Sequence, residues 1–229
     1  MANSRRSCGR SLATASRPGR PMMSPIANTV TTIGPIGATF NEFREVGSDD
    51  LPDGPAIRLA NLRHYLEERA AADVVAIGEA AGYQGMRWSG IAFTSEYDLG
   101  RWGDPFRRSS RRPRPWKEPS GTIVHGILEE LGAERRVILW NTVPTHPHLP
   151  NNPLSNRRPT RAEMVAGAGY AERLIDIAQP RLLIAVGRVA AEVLGDRAQY
   201  VRHPAQAGAT AFRLGMRQAL SISGRSANQ

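Results

Sequence analysis

Residues 73–96 read DVVAIGEAAGYQGMRWSGIAFTSE. The stretch opens on Val74, Val75 and Ile77, an apolar run with the β-branched character of a buried strand over residues 73–78. At Gly78 it gives way to a loop with glycines at 78, 82, 85 and 90, where the backbone can turn sharply and approach a ligand closely. Glu79 falls just past the end of the strand, and open α/β sheets bind ligands outside the carboxyl ends of their strands.

Outward from this stretch, helical and extended patterns alternate. Pro55 suits a first helical position, and Leu59, Leu62 and Leu66 recur at helical spacing through Arg69. Residues 100–119 are too rich in proline to be regular. A helix is expected over about 120–131, closed by Gly132, and then a strand over 136–143, RVILWNTV. Thr160 and Glu163 form a capping-box pair that opens a helix whose buried face is Met164, Ala168, Ala171, Ile175 and Ala178, stopped by Pro180. A third strand over 182–186, a helix at about 187–195, a short fourth strand at about 200–202 and a last helix to about 220 follow. The fold class this predicts is α/β: three-layer α/β/α around a mainly parallel, four-stranded central sheet. No P-loop and no GxGxxG dinucleotide fingerprint is present.

Length and composition bound the function. Of 229 residues, 41% are hydrophobic, which fits one soluble domain, expected over 26–229. Residues 1–25, rich in Ser, Arg, Pro and Gly, read as a flexible basic tail. Cys8 is the single cysteine, so neither an intramolecular disulfide nor a multi-cysteine metal site is possible, and a reducing, cytoplasmic compartment close to the nucleoid is expected. No apolar run approaches the roughly 20 residues that span a bilayer. The net charge of +9 comes almost wholly from arginine, which pairs bidentately with phosphate, so nucleic acid is the expected partner rather than a membrane.

In a parallel sheet Glu79, Asn141 and His203 would each lie at or past a strand's C-terminal end and share one crevice. A carboxylate can activate water or stabilise a developing cation. A carboxamide can read an N–H and C=O edge, and an imidazole can donate to an oxygen where negative charge develops. Phe93 could offer a face for a base to stack on. With a basic surface, the set suggests a base taken out of the stack and hydrolysed from its sugar. His146 and His148 have no third ligand at suggestive spacing, so no metal is expected. Arg107, Arg108, Arg111, Arg112 and Arg114, with Trp102 and Trp116, read either as a phosphate clamp with stacking surfaces or as a solvated loop.

GEAAGY at 78–83, GIAFTSE at 90–96, LWNTVP at 139–144 and VRHPAQAG at 201–208 resemble the motifs of the uracil-DNA glycosylase superfamily, in order, over roughly residues 70–215. The resemblance implies a monomeric, monofunctional glycosylase of base-excision repair that flips uracil out of DNA, without a cofactor. Glu79 and His203 would be its catalytic residues, and Gly78, Ala80, Tyr83, Phe93 and Asn141 would bind the substrate. Phe93 would stack on uracil, Asn141 would read its N3 and O4 edge, and His203 would donate to O2 as the base leaves. Arg202, Gln206 and Ala207 would meet the DNA, Gln206 and Ala207 standing near the usual apolar wedge. The chain departs from the pattern at several places. One cysteine rules out the four-cysteine iron–sulfur cluster of the GEAPG branch. Ala80 stands where the best-known branch has a catalytic Asp, Ala81 replaces a loop Pro, and Gly82 replaces a thymine-excluding Tyr, for which Tyr83 could substitute. Two alternatives stay open: activity on another deaminated base such as hypoxanthine, and a non-catalytic protein that binds uracil or abasic DNA.

Overall fold

Val74–Ala80 forms the central strand, here β2, because its apolar side chains are buried on both faces. The computed structural model describes residues 24–29 and 32–225, so the basic tail, apart from Ser24 and Pro25, lies outside the described residues. Ahead of β2 come α1 (Pro25–Thr29), a two-residue strand β1 (Thr39–Phe40) and α2 (Gly54–Glu67). After it come α3 (Met86–Ser89), α4 (Glu96–Trp102), α5 (Pro119–Glu130) and β3 (Val137–Val143). The chain finishes with β4 (His146–Pro147), α6 (Arg161–Ala178), β5 (Leu182–Val186), α7 (Arg188–Leu194), β6 (Gln199–Val201) and α8 (Ala209–Arg225).

The main sheet has the order β3-β2-β5-β6 and is parallel throughout, with helices on both faces: a three-layer α/β/α architecture. Edge strand β3 is protected by α2, since the Leu139 N–H donates to Tyr65 Oη at 2.8 Å. α6 closes onto β3 at Gly167, where a β-carbon would collide with the Thr142 carbonyl. The capping box that opens α6 forms as expected, with Glu163 N–H donating to Thr160 Oγ1 at 3.2 Å and Thr160 N–H to Glu163 Oε2 at 2.8 Å. At the end of α5, Gly132 (φ +58°) lets Ala133 N–H reach back to the Leu128 carbonyl at 2.8 Å.

Several local expectations are corrected. β2 does not stop at Gly78. Gly78 pairs with Asn141 and Ala80 with Val143, so Glu79 lies inside the strand, while Asn141 sits within β3 as the strand expected over 136–143 has it. The glycine marks a close approach and not a turn. The buried face of α6 carries Gly167 and Leu174, while Ala168, Ile175 and Ala178 are only partly buried. Residues 100–102 are the end of α4, held by a capping box in which Ser95 N–H and Oγ both donate to Asp98. The antiparallel β1–β4 pair was not expected from the pattern, because two-residue strands leave no periodicity.

Candidate active site

Gly78 is where the site converges. A β-carbon there would collide with Phe93 Cζ and fall 2.8 Å from Asn141 Oδ1, so the missing side chain lets an aromatic ring and an amide meet over the strand. Phe93 reaches this place in a left-handed conformation (φ 54°), costly for a bulky residue and the kind of strain found at functional sites. Its ring centroid lies 5.9 Å from that of His203, the planes tilted by 37°. Asn141 Nδ2 donates to Met86 Sδ at 3.3 Å, which turns Oδ1 toward Gly78. Phe93 and Asn141 are buried, 6% and 3% exposed, and Phe93 abuts His203, which lines a crevice.

His203 follows β6 by two residues. The Ala205 N–H donates to its Nδ1 at 3.1 Å, so the ring proton belongs on Nε2, which is left free to donate. Burial first and the Arg202 charge second hold its pKa below the usual imidazole value, and the ring is neutral. Gly208 is required here, because a β-carbon would strike the His203 carbonyl. Gln206 and Ala207 both adopt positive φ (52° and 58°), and both are exposed. Arg202 braces the loop by donating to the carbonyls of His203 (3.3 Å) and Gln206 (3.4 Å).

The crevice, about 530 Å³, is lined among others by Glu79, Ala80, Glu118, Arg188, Arg202 and Gln206. Glu79 is half-buried and has no hydrogen-bond or ion-pair partner among the described residues. Burial raises its pKa, and the charge of Arg158 opposes that rise. His146, expected only to add loop polarity, is buried with Nδ1 2.8 Å from the Ala81 carbonyl. Its pKa falls to about 4 through burial, so the neutral ring clasps the loop after β2. Among the described residues no three His, Cys, Asp or Glu side chains group as metal ligands.

Residues 67–221 match the family model described as the Uracil DNA glycosylase superfamily. The chain belongs to this superfamily. It is therefore a DNA glycosylase of the base-excision repair kind, and DNA is its partner. The crystal structure of wild-type SMUG2 from Pedobacter heparinus is similar in fold: 14% identity, TM-score 0.57, covering 91% of this chain and all of that one. No curated protein sequence matches. No helix among the described residues is long and apolar enough to cross a membrane.

Measured against the superfamily resemblance, the structure brings Gly78, Phe93, Asn141 and His203 together and sets Glu79, Ala80, Arg202 and Gln206 with His203 on the crevice wall. It does not bring Tyr83 or Ala207 to the crevice wall. The Tyr83 ring instead packs edge-on against Trp116, centroids 6.0 Å apart, and the residue's carbonyl accepts from Trp88 Nε1. The basic loop is likewise separate from the crevice, and its tryptophans are not free stacking surfaces. Trp116 is buried and stacked on Trp88 (5.3 Å, 9°), and Trp102, partly buried, is stacked on Tyr65 (6.3 Å, 15°). Arg108 turns inward to buried Glu96 at 3.4 Å, and Arg112, exposed like Arg107, Arg111 and Arg114, lies over Trp116 at 3.9 Å.

Sequence reasoning missed Glu118. It stands at the head of α5 without capping it, lines the crevice, and points its carboxyl at Gly82 and Gly85. Burial and the Asp98 charge push its pKa up to about 7. Nothing local in KEPSG signals that the carboxyl faces inward rather than into solvent.

Proposed function

We propose that this member of the superfamily hydrolyses the N-glycosidic bond of deoxyuridine in DNA, releasing uracil and leaving an abasic site. The observation that carries the reading is the meeting of Phe93, Asn141 and His203 around Gly78. A flipped uracil stacks on Phe93, and Asn141 accepts from N3–H through Oδ1 and donates to O4 through Nδ2. The Nε2–H of His203 donates to O2. As the N1–C1′ bond breaks, its electron pair stays with the base, and the His203 donor stabilises the charge that collects on O2. Glu79, ionised, supports the cationic sugar and takes the proton of the water whose oxygen bonds to C1′. Ala80 cannot share that task, so it falls to Glu79. We further propose that the enzyme works as a monomer with one catalytic domain from residue 26 onward, without a metal, on cytoplasmic DNA. Gln206, held outward at the crevice mouth, enters the space left by the flipped base.

The test is abasic-site formation on a labelled oligonucleotide containing one uracil, developed with alkali, with Glu79→Gln and His203→Ala beside the parent. Cleavage by the parent that collapses in both variants supports the reading. No cleavage in single or double strands, with DNA still bound, overturns it.

A further inference from the structure

A phenyl ring makes no directional bond of its own, so the aim of Phe93 over Gly78 is set by the backbone that carries it. That backbone is left-handed at Phe93 (φ 54°), a conformation that a bulky residue keeps only where its surroundings hold it. The support comes from α5. Gly121 and His125 stand four residues apart and share one face of that helix. A β-carbon at Gly121 would fall 2.5 Å from the Phe93 carbonyl, so the helix lies flush against the turn. His125 Nε2 lies 3.0 Å from Thr94 Oγ1, and the Thr94 hydroxyl donates its one hydrogen to the Ala92 carbonyl at 3.0 Å. Toward His125 the hydroxyl can therefore only accept, and the ring proton belongs on Nε2. Burial holds the pKa of His125 down at about 4, against the pull of the Asp98 charge, so the ring is neutral at pH 7. Trp102 packs edge-on to it, centroids 5.2 Å apart at 89°. The Thr94 carbonyl is held in turn by buried Ser89, whose Oγ donates to it at 2.7 Å. His125 is not among the residues lining the crevice, and no step of the proposed reaction uses it.

We propose, resting on the uracil reading above, that His125 is a positioning residue for base stacking: through Thr94 it locks the left-handed turn at Phe93 and so aims the Phe93 ring across Gly78. The chain of bonds runs from His125 Nε2–H to Thr94 Oγ1 and from the Thr94 hydroxyl to the Ala92 carbonyl, spanning the strained residue. With that chain broken, the backbone at Phe93 relaxes toward an ordinary conformation, and the ring drifts from its place 5.9 Å from the His203 ring. His125 touches neither base nor sugar in this scheme. Its whole effect passes through Phe93.

The experiment compares the parent with His125→Phe, which fills the space without the bond, His125→Gln, whose amide can still donate to Thr94, and Thr94→Val, which removes the acceptor. The first readout needs no DNA. Phe93 lies beside the His203 ring, so its ring current displaces the His203 ring proton signals, and Phe93→Leu gives the size of that displacement. His125→Phe and Thr94→Val should lose most of it at pH 7, and His125→Gln should keep it. The second readout is single-turnover excision of uracil from a duplex at saturating enzyme. It should fall about 10–100-fold in His125→Phe and Thr94→Val, with DNA affinity little changed, and stay near the parent's in His125→Gln. His203 signals in His125→Phe and Thr94→Val that match the parent's would overturn the proposal whatever the rates. So would a folded His125→Gln that loses as much as His125→Phe. Thermal melts establish that each variant folds, and Thr94→Val carries the test if His125→Phe does not. A parent that excises no uracil would sink the proposed activity, while the His203 signals would still decide whether His125 places Phe93.

Discussion

The backbone N–H of Ala205 donates to Nδ1 of His203, 3.1 Å away, and this bond decides which ring nitrogen faces the base. Protonation at Nδ1 would set N–H against N–H and break the loop's internal bond. The cationic ring is therefore opposed by geometry as well as by burial and by Arg202.

His203 should accordingly titrate below the ordinary imidazole value of 6.5, and its ring should carry a proton on Nε2 at neutral pH. Ring ¹⁵N shifts followed against pH check both points. Arg202→Gln removes an opposing charge and should move the titration upward. A midpoint at or above 6.5 in the parent would contradict the assignment. His203→Ala, which deletes the donor to O2, should lower the single-turnover rate about 10²–10³-fold, with DNA affinity little changed.

Met86 and Asn141 give a second prediction. An amide that flips can read cytosine, whose N3 accepts and whose N4 donates, as well as it reads uracil. The Met86 Sδ acceptor, 3.3 Å from Asn141 Nδ2, opposes that flip because Oδ1 would then face sulfur. Met86→Leu should raise excision of cytosine relative to uracil by a factor of about 2–10, since a sulfur contact is weak. Asn141→Asp, which puts an acceptor where uracil presents O4, should cost uracil excision about 10³-fold or more. A competition assay with cytosine- and uracil-containing duplexes reads both variants, and an unchanged ratio in Met86→Leu would show that the sulfur does not hold the amide.

The sheet was legible because its strands are fully apolar runs: VVAI, VILW and LLIAV each announce a strand buried on both faces. Strand ends were less legible. A glycine was read as a break at residue 78, whereas its neighbours continue the ladder and the glycine serves Phe93. At the site, Asn141, Phe93 and His203 could be found because strand ends and motif order place them. Glu118 could not, since its inward direction depends on glycines at 82, 85 and 121 that lie apart in sequence. The basic loop misled for a related reason. Its tryptophans looked available in a proline-rich run, but the ladder Arg112–Trp116–Trp88–Arg87–Phe40 packs Trp116 inward and Tyr65 takes the face of Trp102.

Glu163 carries a stability prediction. It is buried, accepts both Arg157 nitrogens at 2.7 Å and caps α6, and these bonds pull its pKa from 4.5 down to about 2. A carboxyl whose folded pKa is depressed stabilises the fold fully above its unfolded value and loses that contribution as pH falls through its folded value. Glu163→Gln should therefore be destabilised at pH 7 by roughly 2–3 kcal/mol. The gap between variant and parent should shrink below about pH 4.5 and close near pH 2. Urea melts of both proteins across pH measure it. A gap independent of pH would assign the loss to the α6 cap and packing rather than to the ion pair.

Arg107, Arg111 and Arg114 differ from Arg108, which is spent on Glu96. They are exposed, and among the described residues only Arg107 of the three has an ion pair, a loose one of 3.9 Å to exposed Asp53. Glu96 also accepts from the N–H groups of Ser109, Ser110 and Trp116, so the loop backbone is anchored and holds its charges in a fixed array. A rigid array releases counterions without first ordering the loop, so each phosphate contact should show fully in the salt dependence. Replacing all three by Gln should flatten the slope of log affinity against log salt by about 1 per contact, up to about 3. Because these residues lie outside the crevice, the rate on fully bound uracil DNA should change far less than the affinity. Affinity measured between low and physiological salt, on duplexes with and without uracil, separates the two effects. An unchanged slope would remove this loop from the DNA interface and shift the phosphate contacts to the arginines at the crevice rim, Arg188 and Arg202 among them.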